Sequence, residues 1–273
     1  MKDPAGSADD STEVLAGRIR DARTDGRLLQ APVRHALTRN DAYRVQSLVM
    51  APRMSAAGGR AGWKLGYTSS VMREQMGIDD PNYGPLAGSM LLDSGAVLNT
   101  GVTQPRVEPE IAAVLARDVP SDATLEQVRS CVGEWRIALE VVDSVWEGYQ
   151  FDWFLNTADG SSAAFVVLGD AIAAGSHLAE VEVDLHVNGT PVASGRADAA
   201  MGDPAMALLW LNEQLVRENE CLRAGDTVIT GGLTAAVPLG PEDVVSAFAS
   251  VPGEQCTGQH VSVMVSRGRD AIA

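Results

Sequence analysis

The 273-residue sequence predicts an α+β fold, and three observations predict it. Helix-like patterns gather before the Gly58-Gly59 turn, short alternating strands follow from Met90 onward, and no G-x-G-x-x-G lies between a strand and a helix. Helices first and strands later argue against an alternating parallel sheet. With 45% hydrophobic residues, the chain can bury a substantial core in one large domain with a small appendage. Only four Phe and four Tyr make that core mostly aliphatic.

Met1 to Ser11 is polar and small, and reads as a disordered tail. It lacks the basic-then-apolar order of a signal peptide, so a cytoplasmic protein is expected. Thr12 is a candidate cap for a helix to about Asp25, ended by Gly26. Asn40 is a candidate cap for a second, stopping before Pro52. Trp63 to Thr68 alternates like a strand, Ser69 to Met76 reads as a short helix, and Gly77 to Pro85 as a loop. A helix from Ser121-Asp122 runs to about Ala138, or gives way to a strand. Phe165 to Leu168 is a buried strand. Val181 to Val187 alternates cleanly into an Asn188-Gly189 hairpin turn. Asp203-Pro204 opens a helix with Leu208, Leu211 and Leu215 on one face. Asp243 to Phe248 and His260 to Val265 close the chain as strands. The organisation is a tail (1–11), an N-terminal helical region (12–62) and a β-rich domain (63–273).

The net charge of −15 disfavours nucleic acid and anionic membrane surfaces as partners, because both are bound through Lys and Arg. No run of about 18 apolar residues is present, so no membrane span is expected. Cys131, Cys221 and Cys256 are widely spaced and read as buried thiols of a reducing compartment. His35, His177, His186 and His260 do not cluster and read as structural or surface residues.

The chemistry-bearing stretch is Gln104-Pro105-Arg106-Val107-Glu108-Pro109-Glu110-Ile111. In a strand, Glu108 and Glu110 share one face, roughly 6.5–7 Å apart. A third carboxylate, Glu140, sits in the apolar run Ile137 to Asp143. An ionised Glu among aliphatic residues is costly to bury unless a cation or donor meets it. Three carboxylates facing one point form an oxygen-only site suited to Mg²⁺ or Mn²⁺. The same spacing also fits the solvated face of an edge strand, which Pro109 favours, with Glu140 on a helix surface. Lys64 lies between Trp63 and Leu65, a setting in which desolvation lowers a lysine's pKa and makes it a proton carrier near neutral pH. Asp79 and Asp80 lie on a loop that can either close over a site or form a solvated turn. Arg106 can orient the Glu pair or simply be exposed.

Gly62 to Ser69, Gln75 to Gly84, Gln104 to Ile111, Leu139 to Ser144, Ala158 to Ser162 and Thr230 to Pro238, in that order, resemble the hydratase/decarboxylase branch of the fumarylacetoacetate hydrolase superfamily. The resemblance runs from about Thr12 to Val265. It implies a rolled mixed β-sandwich or barrel-like core with a small N-terminal helical part. It implies Mg²⁺ (or Mn²⁺) held by Glu108, Glu110 and Glu140, with Lys64 and Asp143 as catalytic residues, Asp143 acting as a partner for Lys64 or a bound water. Ser162, Asp79, Leu233 and Val237 are the candidate substrate-binding residues, with Leu233 to Leu239 forming an apolar wall. The substrate is a small anionic 2-oxo acid, and the protein a homo-oligomer that can associate with a pathway hydratase or decarboxylase.

Two neighbours in the branch compete. Gly231 to Pro238, and the Tyr149 and Phe151 pair, look like 4-oxalocrotonate decarboxylase, which takes CO₂ from a 2-oxo-3-enedioate. The alternative is 2-oxopent-4-enoate hydratase, in which water adds to the same kind of oxo-enoate. C–C bond hydrolysis needs a water-activating His, and His35 is the only early candidate. A non-catalytic partner subunit is the reading of another class. The chain departs from the branch at Gly160, where Asn is usual, and at Val145, where Arg usually follows Asp-Ser. The departures point to a modified 2-oxo-enoate as substrate.

Overall fold

The computed structural model describes residues 8–33, 35–98, 101–173, 177–251 and 259–266. Two helices come first, α1 (Ala8–Asp25) and α2 (Arg39–Ala56). Helix α1 starts ahead of Thr12, which is buried inside it, so the expected tail loses residues 8–11 to the helix; residues 1–7 lie outside the described residues. Thr38, not Asn40, caps α2: its hydroxyl accepts from the Asp41 N–H, and the Asp41 carboxylate accepts from the Thr38 N–H. Helix α2 also runs through Pro52 instead of stopping before it. A proline there leaves the carbonyl of Leu48 without its helical donor. Arg20 Nη1 of α1 approaches that carbonyl at 3.4 Å, which makes the irregular turn tolerable.

Strand β1 (Arg60–Gly66) is followed by α3 (Ser70–Met76), capped by the Ser69 hydroxyl. The expected loop then turns into strand β2 (Asn82–Ala87), fully buried against β1. Next come β3 (Leu91–Asp93), β4 (Ala96–Leu98), β5 (Arg106–Leu115), α4 (Leu125–Cys131) and β6 (Val132–Val142), a helix then a strand. Helix α5 (Trp153–Ala158) leads into β7 (Ala163–Ile172). Strands β8 (Glu182–Val187) and β9 (Thr190–Arg196) form the expected hairpin, with positive φ at both Asn188 and Gly189. Helix α6 (Pro204–Arg217) is capped by Asp203. The chain closes with β10 (Thr227–Ile229), β11 (Val237–Pro238), β12 (Val244–Ser250) and β13 (Gln259–Val265).

Among the described residues these strands form two mixed sheets. The large one has the order β2-β1-β10-β5-β6-β7-β3, with β11 continuing beside β5. The small one has the order β4-β13-β12-β8-β9. Their facing sides share one aliphatic core, in which Val107, Ile111, Leu139 and Val141 of the large sheet meet Leu185, Val245 and Val263 of the small one. The opposite face of the large sheet packs on Met50 of α2 through Ala112 and Ile229, while Leu65, Ala113 and Val228, on the core-facing side beyond the small sheet, pack on Leu208 and Leu211 of α6. No described helix is long and apolar enough to cross a membrane. Cys131 is buried and Cys221 half-buried, both as free thiols; Cys256 lies outside the described residues.

Pro109 does not mark an edge. Strand β5 is central, flanked by β6 on one side and by β10 then β11 on the other. The carbonyls of Pro109 and Ile111 accept from Leu233 and Thr230, so both residues bond toward the β10–β11 side. The missing N–H of Pro109 therefore falls in the gap between the end of β10 at Ala112 and the start of β11 at Val107.

Candidate metal centre and active site

The alternation of β5 puts Arg106, Glu108 and Glu110 on one face, away from the aliphatic core that takes Val107 and Ile111. Across the β5–β6 ladder, Glu108 pairs directly with Glu140. Single ligand oxygens of Glu108, Glu110 and Glu140 lie within 4.8 Å of one another. The side chain of Lys64, on β1, reaches the same point: Nζ is 2.9 and 3.0 Å from the two Glu140 oxygens and donates to the Ser161 carbonyl at 2.8 Å. Glu110 Oε2 accepts from the Gly231 N–H at 2.7 Å, while its buried Oε1 accepts no hydrogen bond.

Burial, and then the charge of Glu140, pushes Glu108 up to about 7; Lys64 and Arg106 pull it back. Burial, with Glu140 and Glu108 adding to it, pushes Glu110 well above the ordinary carboxylate range. Burial alone would lower Lys64, as its apolar neighbours suggested. The three glutamates outweigh that effect, and the ammonium is held above its ordinary value. Three clustered carboxylates against one ammonium leave an excess of negative charge in a buried place. With an all-oxygen donor set and an orphaned Glu110 oxygen, that excess fits a divalent cation such as Mg²⁺, Mn²⁺ or Ca²⁺ and not zinc.

Two glycines make room for side chains of the site, one for Glu108 and one for Thr68. A Cβ on Gly232 would stand 2.7 Å from Glu108 Oε2, and one on Gly231 would stand 2.0 Å from Thr68 Oγ1. On the opposite wall, Gly160, Ser161 and Ser162 have φ of 76°, 56° and 58°. A run of left-handed residues is strained and persists only where its surroundings fix it. Here Ser161 N–H donates to Asn156 O, Asp143 N–H to Ser162 O, and Lys64 to Ser161 O. Side chains add to this. Asn82 Nδ2 donates to Asn156 Oδ1 and Thr157 Oγ1, Ser161 Oγ to Asn82 Oδ1, and Asn156 Nδ2 to Ser162 Oγ.

Above the carboxylates opens a cavity of about 400 Å³. Lys64, Glu108 and Ser162 line it, with Tyr67, Met72, Arg106, Tyr149 and Phe151 on its walls. Other expected site residues lie elsewhere. Asp143 does not reach Lys64; its two oxygens accept the N–H groups of Thr103 and Gln104 at 2.9 and 2.8 Å. Asp79 is exposed and away from the cavity, and Asp80 pairs with Arg39 at 2.7 Å. Leu233 and Val237 turn toward the core between the sheets, so Thr234, Ala235 and Ala236 form the wall expected of them. No histidine lines the cavity; His35 pairs with Asp152 at 2.7 Å. The Asn82–Asn156 network escaped sequence reading. Its one signal is Asn156 in the middle of a short helix, where Asn is unfavourable unless its side chain is used.

A sequence profile of the fumarylacetoacetate (FAA) hydrolase C-terminal family matches residues 72–259. The chain is 34% identical over 240 residues to a 2-keto-4-pentenoate hydratase of Burkholderia vietnamiensis, covering 85% of this chain and 91% of that one. It is 28% identical over 229 residues to a 4-oxalocrotonate decarboxylase of Pseudomonas sp, covering 83% and 90%. Among solved structures, 4-oxalocrotonate decarboxylase from Pseudomonas putida G7, complexed with magnesium and adipate, superposes with a TM-score of 0.83 at 28% identity, over 94% of this chain and 97% of that one. The buried carboxylates and these relatives lead to one assignment: the chain belongs to the fumarylacetoacetate hydrolase family, in its branch of hydratases and decarboxylases, and is a metal-dependent lyase.

Proposed function

We propose that the protein is a hydratase that adds water to a 2-oxo-enoate, with Mg²⁺ as the metal. The observation that carries the reading is Lys64 beside Glu108, Glu110 and Glu140 at the floor of an open cavity. When bound there, the cation supplies Lewis-acid polarisation of the 2-oxo group. Lys64 holds a proton at Nζ and stands ready to deliver it to the carbon chain. Ser162 Oγ accepts from Asn156 and donates to no described residue, which leaves its proton for a substrate oxygen. Tyr67, Met72 and Phe151 line the cavity around the middle of the chain.

Two features favour hydration over loss of CO₂. Decarboxylation gains from a low-polarity pocket around the departing carboxylate. Leu233 and Val237, which would have supplied one, point away from the cavity, and Arg106 stands on its wall. The relative at 34% identity is also a hydratase. Decarboxylation of a 2-oxo-3-enedioate is the second reading, favoured by the fold of the Pseudomonas putida decarboxylase. The test is to incubate purified protein and Mg²⁺ with 2-hydroxypenta-2,4-dienoate and, separately, with 2-oxohex-3-enedioate. Loss of the dienoate absorbance without CO₂ from the enedioate is the expected result. CO₂ release with no water addition would select decarboxylation.

A further inference from the structure

Among the described residues Arg106 is the one guanidinium on the cavity wall, and the acidic group whose charge it feels is Glu108, two residues along the same face. Arg106 makes no hydrogen bond and no ion pair among the described residues. Its contact is with the Tyr149 ring, whose centroid lies 4.0 Å from the guanidinium carbon. No carboxylate comes within ion-pair distance of Arg106 among the described residues, so its N–H groups are not spent on a protein carboxylate although Glu108 shares its face. The Tyr149 hydroxyl lies 3.0 Å from the Val142 carbonyl and 3.1 Å from that of Gln104, which fixes the ring under the cation. A guanidinium held over an aromatic ring by a cation–π contact keeps N–H groups available for a planar anion.

The placement along β5 sets the distance at which that anion is met. Arg106 precedes Glu108 by two residues on the same face, so the two Cα atoms stand roughly 6.6 Å apart along the strand. A 2-oxo acid whose head lies at the carboxylate cluster extends its chain by a similar length before it reaches Arg106. We propose that Arg106, seated on Tyr149, is the receptor for a second carboxylate at the far end of the substrate, and so selects 2-oxo-enoates that are dicarboxylates. The inference rests on the hydratase reading of the same site, and it adds the substrate class. A carboxylate held there is stabilised as an anion, which opposes its departure as neutral CO₂ and suits a reaction that keeps it.

The test separates recognition from reaction by using saturated 2-oxo acids that cannot turn over. Binding of 2-oxoadipate and of 2-oxohexanoate to the Mg²⁺-loaded protein is measured by titration calorimetry. The unaltered protein is expected to bind 2-oxoadipate at least about tenfold more tightly, the scale of one charge-assisted hydrogen-bonded pair. Arg106→Gln is expected to abolish that preference while 2-oxohexanoate binding stays within about twofold, which also shows that fold and metal site survive. Arg106→Lys, which keeps the charge, is expected to keep part of the preference. Equal binding of the two acids by the unaltered protein would overturn the proposal. So would an Arg106→Gln variant that weakens both acids alike, because Arg106 would then act on the metal site or the 2-oxo acid head. Failure of the hydratase reading is read elsewhere: CO₂ release with the Arg106-dependent preference intact would sink hydration and leave the receptor standing.

Discussion

Arg23 Nη2 lies 2.5 Å from Oδ1 of Asp159 and 2.9 Å from the Asp159 carbonyl, joining α1 to the turn that leads into Gly160, Ser161 and Ser162. The other Asp159 oxygen accepts from the Val145 N–H at 3.0 Å and the Ser144 hydroxyl at 3.2 Å. Val145 stands where an Arg was expected after Asp143-Ser144. A guanidinium from the N-terminal helix serves the same stretch of chain.

Removing that cation leaves the Asp159 charge buried with the Val145 N–H and the Ser144 hydroxyl but no counter-charge among the described residues. Arg23→Met is expected to destabilise the fold by about 3 kcal/mol, the scale for breaking one side of a buried pair. Asp159→Asn in the same chain should restore part of the loss. Urea unfolding of the single and double variants checks this, and a single-variant midpoint equal to that of the unaltered protein would show that the pair carries no stability.

Lys64→Ala is expected to cut turnover by about 10²–10⁴, the range for a positioned acid–base group, while Mg²⁺ still binds. Steady-state rates at saturating Mg²⁺, with calorimetry of the metal, give both numbers. Unchanged turnover would remove Lys64 from proton transfer.

Gly232→Ala tests the cradle without touching a charge. The new methyl group meets Glu108 Oε2 at 2.7 Å and must displace it. Loss of about 10–100-fold in Mg²⁺ affinity is expected, comparable to disturbing a partner that orients a ligand. Affinity within the error of the unaltered protein would mean that Glu108 is not a ligand.

The glutamates also link stability to pH. Burial raises Glu108 from 4.5 to about 7. Between those values the metal-free folded chain binds more protons than the unfolded chain, so its stability falls as pH rises through that window. Mg²⁺ competes with the same protons. The melting-temperature gain on adding Mg²⁺ is therefore expected to be larger at about pH 8 than at about pH 5. Equal gains at both values would exclude proton competition at these carboxylates.

Much of this site was legible in the sequence because strand alternation is local. Glu108 and Glu110 could be placed on one face from their spacing alone. Glu140 and Lys64 could be suspected from charge in apolar surroundings. What the spacing could not reveal was which strand would lie opposite. Leu233 and Val237 looked like a cavity wall, yet the Leu233 N–H bond to the Pro109 carbonyl and the pairing of β11 with β5 turn them toward the core. Arg23 reaches Asp159 across 136 residues, and nothing local marks that pairing. Pro52 and Pro109 misled for different reasons: Arg20 of α1 approaches the Leu48 carbonyl that Pro52 leaves open, and the N–H that Pro109 lacks falls in a gap of the ladder.

The alternation of β5 also makes the site's alignment and the folding of the core a single event. Deleting one residue from the strand would exchange its faces. Val107 and Ile111 would then look into the cavity, and Arg106, Glu108 and Glu110 would be driven into the aliphatic layer between the sheets. The shift that displaces the metal site also puts charges into the interior, so the two are lost together. A register slip in β5 is therefore expected to show as loss of the cooperative melting transition together with loss of the metal site.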